Sequence, residues 1–211
     1  MRITKEDDIL SDHGTKKVIN AMKGSYAMWI SIPCTGGSSW QAVNLKRGAS
    51  TRKLIAGHWS LFRKLWSTIS ELAALAIKEG RPVYIEWPRY CRYWSENKVK
   101  QFIKRFRGVQ LDLDGCQYGV VSNQNRSRGE PILKPWRILG FNCTPTAGLQ
   151  LRCPKVHKHT PAEGSDTKRT EEYPIALVRA IHLQIANDCR ACGTTIPDSC
   201  PVAYPSRGIM S

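Results

Sequence analysis

Two side chains capable of covalent and acid–base chemistry each follow a short apolar run of strand length. Cys34 lies in the turn Pro33-Cys34-Thr35-Gly36-Gly37-Ser38-Ser39, directly after Tyr26-Ala27-Met28-Trp29-Ile30-Ser31-Ile32. Glu86 closes Val83-Tyr84-Ile85 and precedes Trp87-Pro88. A thiol held by flexible backbone, beside free amides or a cation, can fall below its free pKa of ~8.5 and become a nucleophile. The ordinary alternative is a small, buried, inert cysteine, and for Glu86 a solvated strand-end carboxylate. Functional groups in open α/β sheets gather just past the carboxyl ends of strands. Neighbouring strands would therefore turn Cys34 and Glu86 into one crevice, bordered by Asp112 and Asp114 at the end of a third strand.

A second constellation has metal-ligand spacing. Cys153-x-x-x-His157-x-His159 brings three ligands together, and Cys116 or Cys143 would supply the fourth that tetrahedral zinc needs. In the tail, Cys189-x-x-Cys192 and Cys200 again make three. The two incomplete sets could complete each other. Zinc would explain how the loop-rich, weakly apolar stretch 141–172 stays ordered. The competing reading makes His157 and His159, with Lys155 and Lys158, a basic loop that contacts phosphate.

The elements that must position these groups are legible as periodicity. Thr15 is placed to cap a short helix through Val18, Ile19 and Met22, stopped by Gly24. Residues 45–58 read as a basic surface loop. A long helix from Trp59 to Glu79 repeats Phe62, Leu65, Trp66, Ile69, Leu72, Ala73 and Ala76 at helical spacing. Ser95 can cap a second helix that buries Val99, Phe102 and Ile103 before Gly108. Val109 to Leu113 alternates as a third strand, residues 117–121 and 132–139 read as a hairpin, and Tyr173-Pro174 opens a last helix. Alternating strands and helices predict an α/β fold with a Rossmann-like, mostly parallel sheet covered by helices on both faces. The expected division is a core over residues 1–140 and a loop-rich Cys/His region over 141–211.

Thirty-two Lys and Arg against seventeen Asp and Glu give a formal charge of +15, spread along the chain. Such an excess repels itself when compact and favours a polyanionic partner, here nucleic acid. Arg47, Arg52 and Lys53 follow the Cys34 turn; Arg89, Arg92 and Trp94 follow Glu86; Lys134 and Arg137 lie farther on. Cations interleaved with aromatics suit a strand whose phosphates pair while its bases stack. No apolar run approaches the ~20 residues that span a bilayer, and the first residues lack a signal-peptide pattern. Eight cysteines then point to a reducing, intracellular compartment, cytoplasm or nucleus.

The segments around Cys34 and Glu86 resemble a known family. Ile32-Pro33-Cys34-Thr35-Gly36-Gly37-Ser38 is similar to the Pro-Cys loop of methyltransferases that alkylate cytosine at ring carbon five, and Ile85-Glu86-Trp87-Pro88 to that family's Glu-bearing strand end. A longer resemblance, over residues 27–182, is to methyltransferase-like domains in mobile-element polyproteins of algae and dinoflagellates. It rests on the Pro-Cys-Thr turn, the Glu-x-Pro strand end, Asp114-Gly115-Cys116-Gln117-Tyr118-Gly119, Lys134-Pro135-Trp136-Arg137, Cys153 with His157 and His159, and Thr170-Glu171-Glu172-Tyr173-Pro174. The resemblance implies that Cys34 adds to carbon six of a flipped cytosine while Glu86 hydrogen-bonds the ring. It also implies S-adenosylmethionine, yet the Gly-rich strand–turn–helix that binds it in complete enzymes does not stand before the Cys34 strand. The expectation is a relative that keeps the nucleic-acid-facing half, degenerate or completed by a second chain. Two rival functions remain at this point: a non-enzymatic nucleic-acid-binding or assembly protein, and a cysteine hydrolase pairing Cys34 with His58.

Overall fold

The computed structural model describes residues 8–193. It is an α/β protein with a four-stranded mixed sheet and, among those residues, six helices. Strands β1 (Met28–Ile30), β2 (Val83–Pro88), β3 (Val109–Asp114) and β4 (Pro135–Phe141) take the order β1-β2-β4-β3. β1 and β2 pair in parallel, Ile30 opposite Ile85. β4 is antiparallel to both β2 and β3. The expected mostly parallel sheet is thus corrected: β1, β2 and β3 share a direction, but β4 is inserted between the last two. The expected hairpin dissolves for the same reason. Its second arm joins the main sheet, while Gly115–Tyr118 is a 3-10 turn and Val121 meets Pro131 in an isolated bridge.

Alternation along β2 explains how helices cover both faces. Val83, Ile85 and Trp87 point into one apolar cluster with residues of α1 (Asp12–Lys23), α3 (Ala49–Lys78) and α4 (Asn97–Phe106). Tyr84 points into the other, with Leu111, Leu113, Trp136, Ile138 and the Leu177 and Ile181 side chains of α6 (Ile175–Ala191). The first cluster is strongly aromatic: the Phe62 and Tyr93 rings stack at 3.6 Å between centroids, with Trp66 and Trp87 against them. Full burial of side chains this large contributes about 1.5–3 kcal/mol each.

Several boundaries shift. α1 is capped by Ser11, whose side chain accepts from the Gly14 amide, rather than by Thr15. α3 begins at Ala49, so the expected basic loop over 45–58 is mostly helix, preceded by the short α2 (Gln41–Asn44). Ser95 ends a 3-10 turn, and α4 starts after Glu96 without a side-chain cap. α5 (Ser165–Arg169) interrupts the loop region. Cys200 lies outside the described residues. Among those described, no helix is long and apolar enough to cross a membrane.

Candidate functional site

Parallel pairing of β1 with β2 carries the ends of both strands to the same edge. There Cys34, Thr35, Glu86, Lys134, Trp136 and Tyr173 line a cavity of about 310 Å³. The expected juxtaposition of Cys34 with Glu86 is present. The expected border of Asp112 and Asp114 is not, because β4 separates β3 from β2 and presents Lys134 and Trp136 instead. Tyr173 has the sequence signature of a helix start only, which is why sequence reading misses its place in the wall. It is held between Trp29 and Trp136, whose rings meet it edge-on at 6.0 and 5.8 Å.

Glu86 is 5% exposed. Its Oε2 accepts from Ser31 Oγ at 2.9 Å and from the Tyr173 hydroxyl. Burial raises its pKa, and those two donors with Lys134 only partly offset the rise. Tyr173 is raised in turn by burial and by the carboxylate beside it. The Cys34 thiol is also pushed up, first by burial and then by Glu86, while Lys134 opposes. Lys134 itself is lowered by burial. Its backbone has φ +33°, and its Nζ lies 3.4 Å from Thr170 Oγ1.

The turn after Cys34 is not the open amide nest its sequence suggests. Gly36 N donates to the Tyr93 hydroxyl at 3.1 Å, and Gly37 N to the Cys34 carbonyl at 3.0 Å. A Cβ on Gly36 would lie 2.7 Å from the Tyr93 hydroxyl, and one on Gly37 2.6 Å from Cys91 Sγ. The two glycines therefore serve close packing. With both amides engaged, the turn does not fit the phosphate- or cofactor-cradling role, and among the described residues no other strand end near the cavity offers S-adenosylmethionine a Gly-rich turn.

Across β4 from this cavity, Cys116, Cys153, His157 and His159 form a group that could hold a metal such as zinc. Their ligand atoms all lie within 4.8 Å of one another. Cys153 Sγ is 3.5 Å from His157 Nε2 and 3.4 Å from His159 Nε2, and the two Nε2 atoms are 3.1 Å apart. A tetrahedral ion with Zn–S near 2.3 Å and Zn–N near 2.0–2.1 Å needs S···N of about 3.6 Å and N···N of about 3.4 Å. The turn holds the thiol in place: Lys155 adopts φ +61° and its amide points at Cys153 Sγ, 3.3 Å away. Cys116, not Cys143, is the fourth member. Cys143 packs beside Gly140, and Cys189 sits in α6 near the Tyr26 carbonyl, so among the described residues neither joins the Cys116 group.

The basic residues divide. Arg47, Arg52, Lys53 and Arg92 are exposed. Arg89 is 9% exposed, its guanidinium 2.7 Å from Asp114 Oδ1, and Trp94 is buried against Trp87. Arg137 makes paired bonds to Asp112 at 2.7 and 3.0 Å. Arg89 and Trp94 thus brace the sheet end instead of offering contact surface, and Arg137 is committed to a carboxylate. His58 lies within α3, behind Gly36, and is not on the cavity wall. No protein-family model, curated protein or solved structure matches this chain.

Proposed function

We propose that this chain is an intracellular nucleic-acid-binding protein, methyltransferase-like in its Cys- and Glu-bearing half, that draws one base into the cavity between Cys34 and Glu86. The observation that carries the reading is the parallel register of Ile30 with Ile85, which supports a thiol and a carboxyl acting on one ligand. A cavity of about 310 Å³ admits a nucleobase, and an enzyme acting on a base must take it out of the stack. A carboxyl held above its usual range stays neutral over more of the pH scale and can donate to a ring nitrogen. That hydrogen bond would favour addition of the Cys34 sulfur to carbon six: the thiol proton passes to solvent, the carbon-five–carbon-six double bond opens, and its electrons shift through carbon four to the ring nitrogen that takes the Glu86 proton. The residues present do not fit S-adenosylmethionine, so the reading stops at addition to the ring. Zinc at Cys116, Cys153, His157 and His159 would brace the loop region, two thiolates and two imidazoles at tetrahedral spacing being its ordinary ligand set.

The test follows from the addition step alone. Sulfur addition to carbon six makes carbon five basic, so a cytosine-containing oligonucleotide in deuterated water should exchange its carbon-five hydrogen. Exchange that vanishes in Cys34→Ser supports the reading. Absent exchange with intact binding leaves a non-enzymatic nucleic-acid-binding or assembly protein, a reading favoured by the raised Cys34 thiol and the engaged glycine amides. That alternative requires salt-steep binding indifferent to Cys34→Ala. Nothing at the cavity favours the cysteine hydrolase.

A further inference from the structure

The chain carries no Asp or Glu between Asp12 and Glu71, and this acid-free stretch builds the ridge beside the cavity mouth. Within it, the turn at Thr35–Gly37, helix α2, the 3-10 turn at Leu45–Arg47 and the first half of α3 pack in succession. Gln41 Nε2 donates to the Thr35 carbonyl at 2.8 Å, so α2 is tied to the turn whose Thr35 lines the cavity. On the outside of this ridge stand Lys46, Arg47, Arg52 and Lys53, all exposed. Among them are large apolar groups left in solvent: Trp40 is 59% exposed, Val43 52% and Leu54 62%.

We propose that this ridge is a binding track for single-stranded nucleic acid, with the Trp40 indole as a stacking platform for an unpaired base next to the one in the cavity. The charge identifies a polyanion, since four exposed cations stand here with no carboxylate on the ridge to offset them. The indole separates single strands from duplexes, because a duplex hides its base faces while every unpaired base offers one. The depth of the cavity argues in the same direction. Glu86 is 5% exposed, so a base must leave its partner to reach it, and unpairing costs least in a strand that is already single. The proposal rests on the nucleic-acid reading above for the class of ligand, but not on any chemistry at Cys34.

Binding of a labelled twelve-nucleotide single strand, in DNA and RNA forms, is compared with binding of the matching duplex by fluorescence anisotropy. The single strand is expected to bind roughly tenfold tighter or more. Trp40→Ala should weaken it by roughly five- to a hundredfold, the range for losing one stacked base, and change duplex binding less than twofold. The paired change Arg52→Ala with Lys53→Ala should weaken both ligands and flatten the salt dependence for single strands by about 1.4 in log–log slope. Equal affinity for the duplex, or a Trp40→Ala protein that binds the single strand as well as the parent, overturns the proposal. So does sedimentation showing that Trp40→Ala dissociates a dimer while binding is unchanged, since the indole would then cover a second copy. Single-strand binding that needs Trp40, without carbon-five exchange, would defeat the proposed catalysis and leave this track standing.

Discussion

Tyr173 and Ser31 donate their hydroxyl hydrogens to the same oxygen of Glu86, one from the lead-in to α6 and the other from the end of β1. The carboxyl is thereby fixed between α6 and the edge strand β1. Tyr173→Phe removes one of the two donors and keeps the ring between Trp29 and Trp136. The expected cost is about 1–3 kcal/mol in a urea or guanidinium titration at neutral pH. A cost within 0.3 kcal/mol, as an order-of-magnitude threshold below one ordinary hydrogen bond, would show that Tyr173 does not hold the carboxyl.

Glu86 also predicts a pH signature. Its folded-state pKa lies above the unfolded value because burial penalises the charge. The folded protein therefore binds this proton more tightly than the unfolded chain, and stability falls as pH rises from the unfolded pKa through the folded one. Glu86→Gln, which keeps an acceptor for Tyr173 and Ser31, should be the more stable protein above that window. The advantage should shrink to nothing on acidification below the ordinary carboxyl range. Thermal melts of both proteins from pH 4 to 8 check it, and a constant difference across the series would contradict it.

The thiol at the other side of the cavity should respond to its two charged neighbours in opposite directions. Glu86 raises the Cys34 pKa and Lys134 lowers it. Alkylation of Cys34 by iodoacetamide, followed by peptide mass spectrometry, should keep accelerating beyond the free-thiol range of ~8.5 in the parent protein. The profile should move to lower pH in Glu86→Gln and to higher pH in Lys134→Met. Profiles that coincide would mean that the three groups do not share an environment.

How much of this was legible in the sequence depends on which physical signal each feature leaves. Cys34 and Glu86 could be placed because strand-ending turns follow short apolar runs. Cys153, His157 and His159 could be grouped because they are local, and Cys116 because a Gly turn presents it. The insertion of β4 between β2 and β3 leaves no mark, since an apolar run carries neither direction nor neighbour. Gly48 and Gly57 among basic residues suggest a loop at 45–58, yet Gly57 sits in an exposed helix interior, where glycine costs only about 1 kcal/mol. Alternating cations and aromatics at Arg89–Trp94 look like a contact surface. Which of them turn inward is decided by Asp114 and Trp87, both distant or differently oriented in ways that spacing does not record.

The metal group should matter beyond its own loop. Gly115, next to Cys116 of the Cys/His group, donates to the Leu133 and Lys134 carbonyls at 2.7 and 3.0 Å. A Cβ on Gly115 would lie 2.9 Å from Lys134 Cβ, so this turn backs directly onto the cavity wall. Purified protein is expected to hold one zinc per chain. Chelation should lower the melting midpoint by about 8–16 °C, taking roughly 4 kcal/mol for a site well saturated at working concentration and 2–4 °C per kcal/mol at this size. It should also change the Cys34 alkylation rate, a shift that Lys134→Met abolishes. Stoichiometric zinc loss with an unchanged melt would leave the four residues as a hydrogen-bonded cluster without a bracing role.

Entry of a base into the space between Cys34 and Glu86 is the central event of the proposed function. Cys34 alkylation measured with a saturating single-stranded oligonucleotide, intact or with one abasic position, asks this directly. The intact strand should protect Cys34 at least tenfold, on the order expected when a bound group excludes reagent at more than 90% occupancy, while the abasic strand binds but protects far less. Equal alkylation with both strands bound would place the nucleic acid elsewhere and contradict the account.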